Sequence, residues 1–189
     1  MLFDHIGAFL YPSLLELRVI GRIAFPIFAY QLTIGYAMTP SKKDYFVRLL
    51  FFGIVAQVPY HFLVAEFELN ILFALALGIF ALWSLEKEKY YYFLLIIPAS
   101  IFVSYSLYGL LVILIFHIFK NKPTQFALFI FASFLYSLYC WWLQIFAFLA
   151  LFFVAKPFSE IKLPRNFFYV FFPAHLLIIL LIRIIFFDG

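Results

Sequence analysis

Along this chain, long apolar runs almost free of charge alternate with short connectors that carry most of the Lys and Arg. The runs cover roughly residues 1–12, 19–38, 46–65, 69–84, 90–104, 107–119, 124–137, 139–155 and 167–187. A helix needs about 20 apolar residues to cross hydrocarbon about 30 Å thick, so several runs are short for a crossing. The stretches 90–119 and 124–155 are each flanked by basic connectors on both sides. A single long helix would put those connectors on opposite faces, so the pattern predicts two short helical hairpins. Their breaks fall at Ser104-Tyr105-Ser106 and near Ser137-Leu138-Tyr139. Half-helices of about 15 residues reach only about 22 Å, which places them in a thinned or shielded part of the bilayer. The predicted fold is all-α: a polytopic transmembrane helix bundle of about nine spans, forming one integral membrane domain over residues 1–189.

Composition agrees with this pattern. The chain is 68% hydrophobic and 12% charged, with a mean hydropathy of +1.11. That leaves too little polar surface to cover a water-soluble globule. Thirty Phe, thirteen Tyr and three Trp are spread along the whole length, so no soluble domain hangs on a single anchor. The lone Cys140 excludes an intramolecular disulfide, and no Cys/His group has zinc-site spacing. The start, Met1-Leu2-Phe3-Asp4-His5, lacks a basic region and cleavage site and predicts an uncleaved N-terminus. The basic residues lie in separate connectors and form no contiguous patch for nucleic acid.

Charge then sets orientation. With nine spans, Lys42, Lys43, Arg48, Lys87, Lys89, Lys120, Lys122, Lys156, Lys162 and Arg165 share one face, ten of the thirteen Lys and Arg. Basic connectors stay cytoplasmic, so the prediction is a multi-pass inner (plasma) membrane protein with its N-terminus inside. The opposing Glu66-Phe67-Glu68 connector is acidic.

Three arginines depart from this sorting: Arg18, Arg22 and Arg183. Arg18 and Arg22 are four apart and share a helix face. Arg18 lies near the outer edge, where a long side chain can snorkel to the headgroups; Arg22 lies about 6 Å deeper. Asp4 and His5 are likewise inside an apolar span. Ionisable groups at membrane depth face a bundle interior or a wet cavity and take part in function. Adjacent helical residues point about 100° apart, so Asp4 can pair with Arg22, and a buried Asp–Arg tie alone would account for it. His175, after Pro173, lies near mid-membrane.

Other polar residues have simpler readings. Asn70 opens the fourth span as an N-cap or a substrate contact. Gln57 and His61 flank Pro59 and can satisfy backbone groups freed by a kink. His61 and His117 sit near span ends and read as interfacial, and Gln144 can bond a neighbouring helix. No Gly-rich phosphate loop, Gly-x-Ser-x-Gly or His-Glu-x-x-His occurs.

Four ordered segments carry a family resemblance. They are Asp4-His5-Ile6-Gly7; Arg18 through Gly21-Arg22 to Ala24-Phe25-Pro26 and Ala29-Tyr30; Asn70-Ile71-Leu72-Phe73 to Gly78; and Phe168-Tyr169 through Phe172-Pro173 to His175-Leu176. Together they resemble the motifs of the TraX family, named for the membrane protein that N-acetylates F-type conjugative pilin. The resemblance implies a polytopic acyltransferase using acetyl-coenzyme A. Two departures are visible. Only Met1-Leu2-Phe3 precede the first motif, where the family carries a turn or two more of apolar helix. Family members also often place an acidic residue beside a Tyr-Gly pair in a middle hairpin, where this chain reads Tyr105-Ser106-Leu107-Tyr108-Gly109.

Acyl transfer from a thioester needs a base for the acceptor and donors for the developing oxyanion. His5 suits the first role, with Asp4 orienting it; Arg22 suits the second, assisted by Arg18 or Asn70. His175 and Tyr169 join Arg18 and Asn70 as candidate substrate contacts, and no metal is called for. The cluster Lys42, Lys43 and Arg48 is the candidate holder of the nucleotide phosphates of acetyl-coenzyme A, with the pantetheine arm reaching inward. The partners expected are the lipid bilayer and a pilin-like protein, glycan or lipid acceptor, with no nucleic acid. The alternative from another class is a small transporter or flippase using the same buried charges; a third is an inert assembly partner.

Overall fold

The computed structural model describes residues 1–64, 67–140, 142–155 and 166–187. Their regular structure is helical apart from one isolated parallel bridge, Leu69 to Val103. The helices are α1 (Leu2–Phe9), α2 (Leu15–Arg22), α3 (Ala24–Met38), α4 (Lys42–Leu63), α5 (Ile71–Glu86), α6 (Phe93–Ser100), α7 (Ser106–Ile118), α8 (Lys122–Tyr139), α9 (Ala150–Ala155) and α10 (Phe167–Phe186). Short 3-10 segments, Tyr90–Tyr92 and Trp142–Leu149, lead into α6 and α9. Each of the nine apolar runs therefore carries helix. Three stretches, Leu15–Met38, Lys42–Leu63 and Phe167–Phe186, are long and apolar enough to cross a membrane.

The helix ends have local causes. Asn70 caps α5 by accepting from Leu72 N at 3.0 Å, and Ser41 caps α4 by accepting from Asp44 N at 3.1 Å. The break between α2 and α3 falls at Ile23, three residues before Pro26; Pro26 lacks the N–H that would bond the carbonyl of Arg22, which thus loses its i+4 partner. The α6–α7 break lies within 101–105, where the sequence places it, and Tyr105 takes the left-handed conformation (φ 65°). The second break comes slightly later than Ser137-Leu138-Tyr139: α8 runs to Tyr139 and is capped at Cys140. The half-helices are shorter than the 15 residues expected; α6 has 8 and α7 has 13.

Large apolar side chains line the exposed helix faces as well as the core. On α4, Phe51, Ile54, Val55, Val58 and Phe62 are exposed while Gly53, Ala56 and Tyr60 face the bundle. Small and polar residues at interfaces, with large apolar ones outside, are what packing in lipid favours. The core holds Phe25, Leu32, Ile79, Leu82, Ile113, Phe129 and Leu176, each at most 2% exposed.

The bundle has two unlike ends. One gathers the connectors after α3, α5 and α7, tied by Tyr36 to Glu86, Lys122 to Tyr30 (3.1 Å) and Gln125 to the carbonyls of Phe116 and Phe119. Lys42, Lys87, Lys89, Lys120 and Lys122 all lie there. Lys156, Lys162 and Arg165, assigned to the same face, fall outside the described residues, as does Glu66. The other end gathers the start of α3, the end of α4, the start of α5, the α6–α7 turn and the end of α8. Helix α10 runs parallel to α4: Tyr169 stacks on Phe52 near its start, and Arg183 donates to the carbonyl of Leu63 near its end.

Candidate active site

The second end holds a half-open cavity of about 300 Å³. Asp4, His5, Arg18, Arg22, Glu68 and Tyr105 line it, with Tyr60, Ser104, Tyr136 and Phe172 completing the wall. Segments far apart in sequence, α1, α2, α4, the connector before α5, the α6–α7 turn, α8 and α10, thus meet around one small volume.

Close approach of α1 and α2 builds its cationic side. A Cβ on Gly21 would lie 2.7 Å from Asp4 Cα, and one on Gly7 would lie 2.9 Å from Leu17 Cβ. Only hydrogen at both positions lets the two helices touch, and this contact carries the Asp4 carboxylate to the arginines. Arg22 Nη2 donates to Asp4 Oδ1, and Arg18 Nε lies 3.0 Å from the same oxygen. Arg22 is 5% exposed and reaches across to Gln144 Oε1 at 3.4 Å. Gln144 in turn donates to Tyr108 OH at 3.1 Å, and Tyr108 OH meets Ser133 Oγ at 2.9 Å. The Arg22 guanidinium also lies 5.8 Å from the centre of the Tyr105 ring, which itself stacks on Phe25 at 4.1 Å. A guanidinium held on several sides is a rigid donor rather than a mobile charge.

His5 belongs to a different network. Its Nδ1 lies 2.8 Å from His175 Nε2, and His175 Nδ1 lies 2.8 Å from the carbonyl oxygen of Phe171. A carbonyl can only accept, so His175 Nδ1 carries a proton. In the neutral pair, His175 Nε2 then accepts, His5 Nδ1 donates, and the lone pair of His5 is left on Nε2. The second imidazole and a backbone carbonyl fix the tautomer and the orientation of the first, the role a third group plays for any activated base. The rings stack with centroids 5.1 Å apart.

The sequence-derived candidates therefore divide. Asp4, His5, Arg18 and Arg22 share the cavity, and His175 stands behind His5. Asp4 bonds the arginines; the group that bonds His5 is His175. Asn70 is fully buried and lies outside the wall: its amide donates to Gly53 O and Gln57 Oε1, both at 2.8 Å, while its oxygen caps α5. Gln57 serves this segment as well, donating to Glu68 O at 2.9 Å, rather than a kink at Pro59. Tyr169 lies beside Arg48, 6.0 Å from guanidinium to ring centre. Lys42 donates to Thr39 O at 3.1 Å, and Lys43 is exposed at the start of α4. Tyr60 is 18 residues further along that helix, so Lys42 and the cavity are about 27 Å apart by helical rise. The basic cluster and the cavity thus occupy opposite ends of the bundle.

Among the residues that escape sequence reasoning are Glu68 and Tyr105 in the wall and, behind it, Gln144's partner Tyr108. Tyr105 had one local signal, its place in a predicted break. Glu68 had none, because an acidic residue in a connector reads as solvated.

An uncharacterized protein of Rickettsia prowazekii (strain Madrid E) is 38% identical over 79 residues, which is 41% of this chain and 30% of that protein. A probable fimbrial assembly protein, FimC of serogroup H1, from Dichelobacter nodosus is 32% identical over 94 residues, covering 43% of this chain and 37% of that protein. The chain thus matches about a third of the length of these relatives. No solved structure matches. The family model described as TraX protein matches residues 1–183, so both arginines, the Asp4-His5 pair and His175 all fall within one continuous match: the chain belongs to the TraX family.

Proposed function

We propose that the protein is a multi-pass inner-membrane acyltransferase, one integral membrane domain of about nine spans with a cytoplasmic N-terminus, that moves an acetyl group from acetyl-coenzyme A to an amine or hydroxyl acceptor. The observation that carries this reading is the meeting, in one cavity, of an imidazole of fixed tautomer with a braced arginine. His5 Nε2 takes the proton of the attacking acceptor as its nitrogen or oxygen bonds the acyl carbon. Arg22, steadied by Asp4 and Gln144, holds the acyl oxygen as negative charge gathers on it. When the carbon–sulfur bond breaks, the proton passes from the His5 imidazolium to the departing sulfur, and the base is restored. Asp4 offsets one of the two guanidinium charges and, in contact with both side chains, holds the arginines in place.

The orientation that follows from the basic connectors puts the cavity in the outer half of the membrane and Lys42, Lys43 and Arg48 toward the cytosol. In this reading the basic cluster receives the nucleotide phosphates, and the acyl group is delivered through the bundle to an acceptor on the outer side. A pilin-like protein, a glycan or a lipid would meet it there. The Dichelobacter nodosus relative, a probable fimbrial assembly protein, supports an acceptor destined for the cell surface.

The test is thiol release. Purified protein in nanodiscs is incubated with acetyl-coenzyme A, and free thiol is followed over time for wild type and His5→Ala. Release by wild type that falls at least 100-fold in the variant is the expected result. No release by well-folded wild type would overturn the reading and leave a transporter of a polar or lipid solute.

A further inference from the structure

The cavity has a second pole that the scheme above does not use. Glu68 Oε1 accepts from Tyr60 OH at 2.9 Å and from Ser104 Oγ, and those two hydroxyls are 3.1 Å apart. Both hydrogen bonds fall on one carboxylate oxygen; Oε2 accepts none from the described residues, although the residue lines the cavity. The backbone on either side is pinned. Gln57 holds the carbonyl of Glu68, Leu69 N donates to Phe102 O at 2.9 Å, and Ser104 N donates to Leu69 O at 2.9 Å. The parallel bridge from Leu69 to Val103 and the left-handed turn at Tyr105 and Ser106 set this segment against the α6–α7 connection. Left-handed backbone at two non-glycine residues costs energy, so the surrounding contacts must hold it there.

Charge gives the pole a meaning. Two guanidinium and two carboxylate groups line the cavity. Asp4 lies on the arginine side, which keeps an excess of positive charge, and Glu68 supplies the compensating negative charge elsewhere on the wall. A thioester carbonyl and a nucleophile bearing N–H or O–H are polar in opposite senses, and this separation suits the pair.

We propose that Glu68 is the acceptor-binding carboxylate of the site: its free oxygen accepts a hydrogen bond from the nucleophile, aims the lone pair at the acyl carbon, and sets the preference between nitrogen and oxygen acceptors. The proposal rests on the acyl-transfer reading. A primary amine brings two hydrogens, one for Glu68 and one for His5. A hydroxyl brings one, which His5 must remove. During transfer the new nitrogen–carbon bond forms, the proton on His5 is passed to sulfur as the carbon–sulfur bond breaks, and Glu68 keeps its charge throughout. It is a binding and specificity residue and carries no proton away.

The experiment compares wild type and Glu68→Gln, full chain in nanodiscs, for thiol release from acetyl-coenzyme A with glycinamide or glycerol as probe acceptor. Glutamine keeps an oxygen for Tyr60 and Ser104 but not the charge. The KM for glycinamide is expected to rise about 10- to 100-fold, the scale of one hydrogen bond to a charged group, with the KM for acetyl-coenzyme A changing less than twofold. The preference for glycinamide over glycerol should narrow by the same factor. If Glu68→Gln fails to fold, Glu68→Asp, which keeps the charge and withdraws it by one methylene, is measured for the same split. Wild-type release with unchanged acceptor KM in the variant, both KM values rising together, or an unchanged glycinamide-to-glycerol preference would overturn the role of Glu68 alone. No release by folded wild type would overturn the acyl-transfer reading, and this role with it.

Discussion

His5 and His175, 170 residues apart, share one hydrogen bond of 2.8 Å, and the carbonyl of Phe171 decides which way its proton points. His5→Ala removes the base and is expected to lower transfer by 10²–10⁴-fold. His175→Phe is the sharper variant, because it keeps a flat ring against Phe171 and Phe172 while deleting the acceptor for His5 Nδ1. Misorientation of the base should then cost about 10²-fold in kcat, with little change in thermal unfolding measured in detergent. A His175→Phe enzyme of normal rate would remove His175 from the mechanism.

Gly21 is a second test of the same assembly. Its α-hydrogen faces the backbone of Asp4, and a methyl group there would meet Asp4 Cα at 2.7 Å. Gly21→Ala must push α1 away from α2, so Asp4 leaves the arginines. The expected loss is about 1–3 kcal/mol of stability from overpacking, read as a lowered unfolding temperature in detergent, together with loss of transfer. Unchanged stability would mean that α1 is not docked as described.

Much of this site is legible in the sequence, and the reason is solvent. In lipid an ionisable side chain is costly, so Asp4, His5, Arg18, Arg22 and His175 stand out against their apolar runs. Glu68 does not, because it lies in a connector whose return into the bundle depends on pairing with residues 102–104. That pairing is non-local and leaves no periodic trace. Asn70 shows the opposite failure. Its residue type fits a cap and a ligand equally well, and only the contacts with Gly53 and Gln57 decide that its amide is spent inside the fold. The helical run after Trp142 reads as α-helix by composition, yet it is 3-10 to Leu149, placing Gln144 where Arg22 can reach it.

Asn70→Asp separates those two readings. Aspartate keeps the oxygen that caps α5 but loses the donors to Gly53 O and Gln57 Oε1 and sets a buried carboxylate oxygen against both, although Gln57 Oε1 keeps the backbone N–H of residue 70. A loss of about 1–3 kcal/mol is expected, visible in unfolding, while KM for either substrate in the folded fraction stays within twofold. A selective rise in KM would return Asn70 to the substrate site.

Arg22→Lys distinguishes charge from geometry. Arg22 divides its two terminal nitrogens between Asp4 and Gln144, and a lysine ammonium cannot span both in one plane. If Arg22 holds the acyl oxygen, the rate should fall by about 10²–10³-fold, the scale of losing one oxyanion donor, while folding survives because the charge opposite Asp4 remains. Near-normal turnover in Arg22→Lys, together with loss of folding in Asp4→Ala, would show a purely structural pair.

The orientation of the whole bundle can be read from its single natural cysteine. Cys140 caps α8 at the end of the bundle that holds the cavity, and it is exposed. The connectors after α3, α5 and α7 lie at the opposite end, with Lys42, Lys43, Lys87, Lys89, Lys120 and Lys122, which the proposed orientation places in the cytoplasm. Cys140 must then face outward. A membrane-impermeant maleimide is therefore expected to label the wild-type protein in intact cells, without any mutation. In Cys140→Ser, a cysteine placed by Phe67→Cys, at a residue 79% exposed beside Glu68, should label from outside as well. One placed by Glu88→Cys, in the basic connector after α5, should label only after the cells are permeabilised. Labelling of Glu88→Cys in intact cells, with Cys140 and Phe67→Cys silent, would invert the bundle, open the cavity to the cytosol, and make the acceptor a cytosolic molecule.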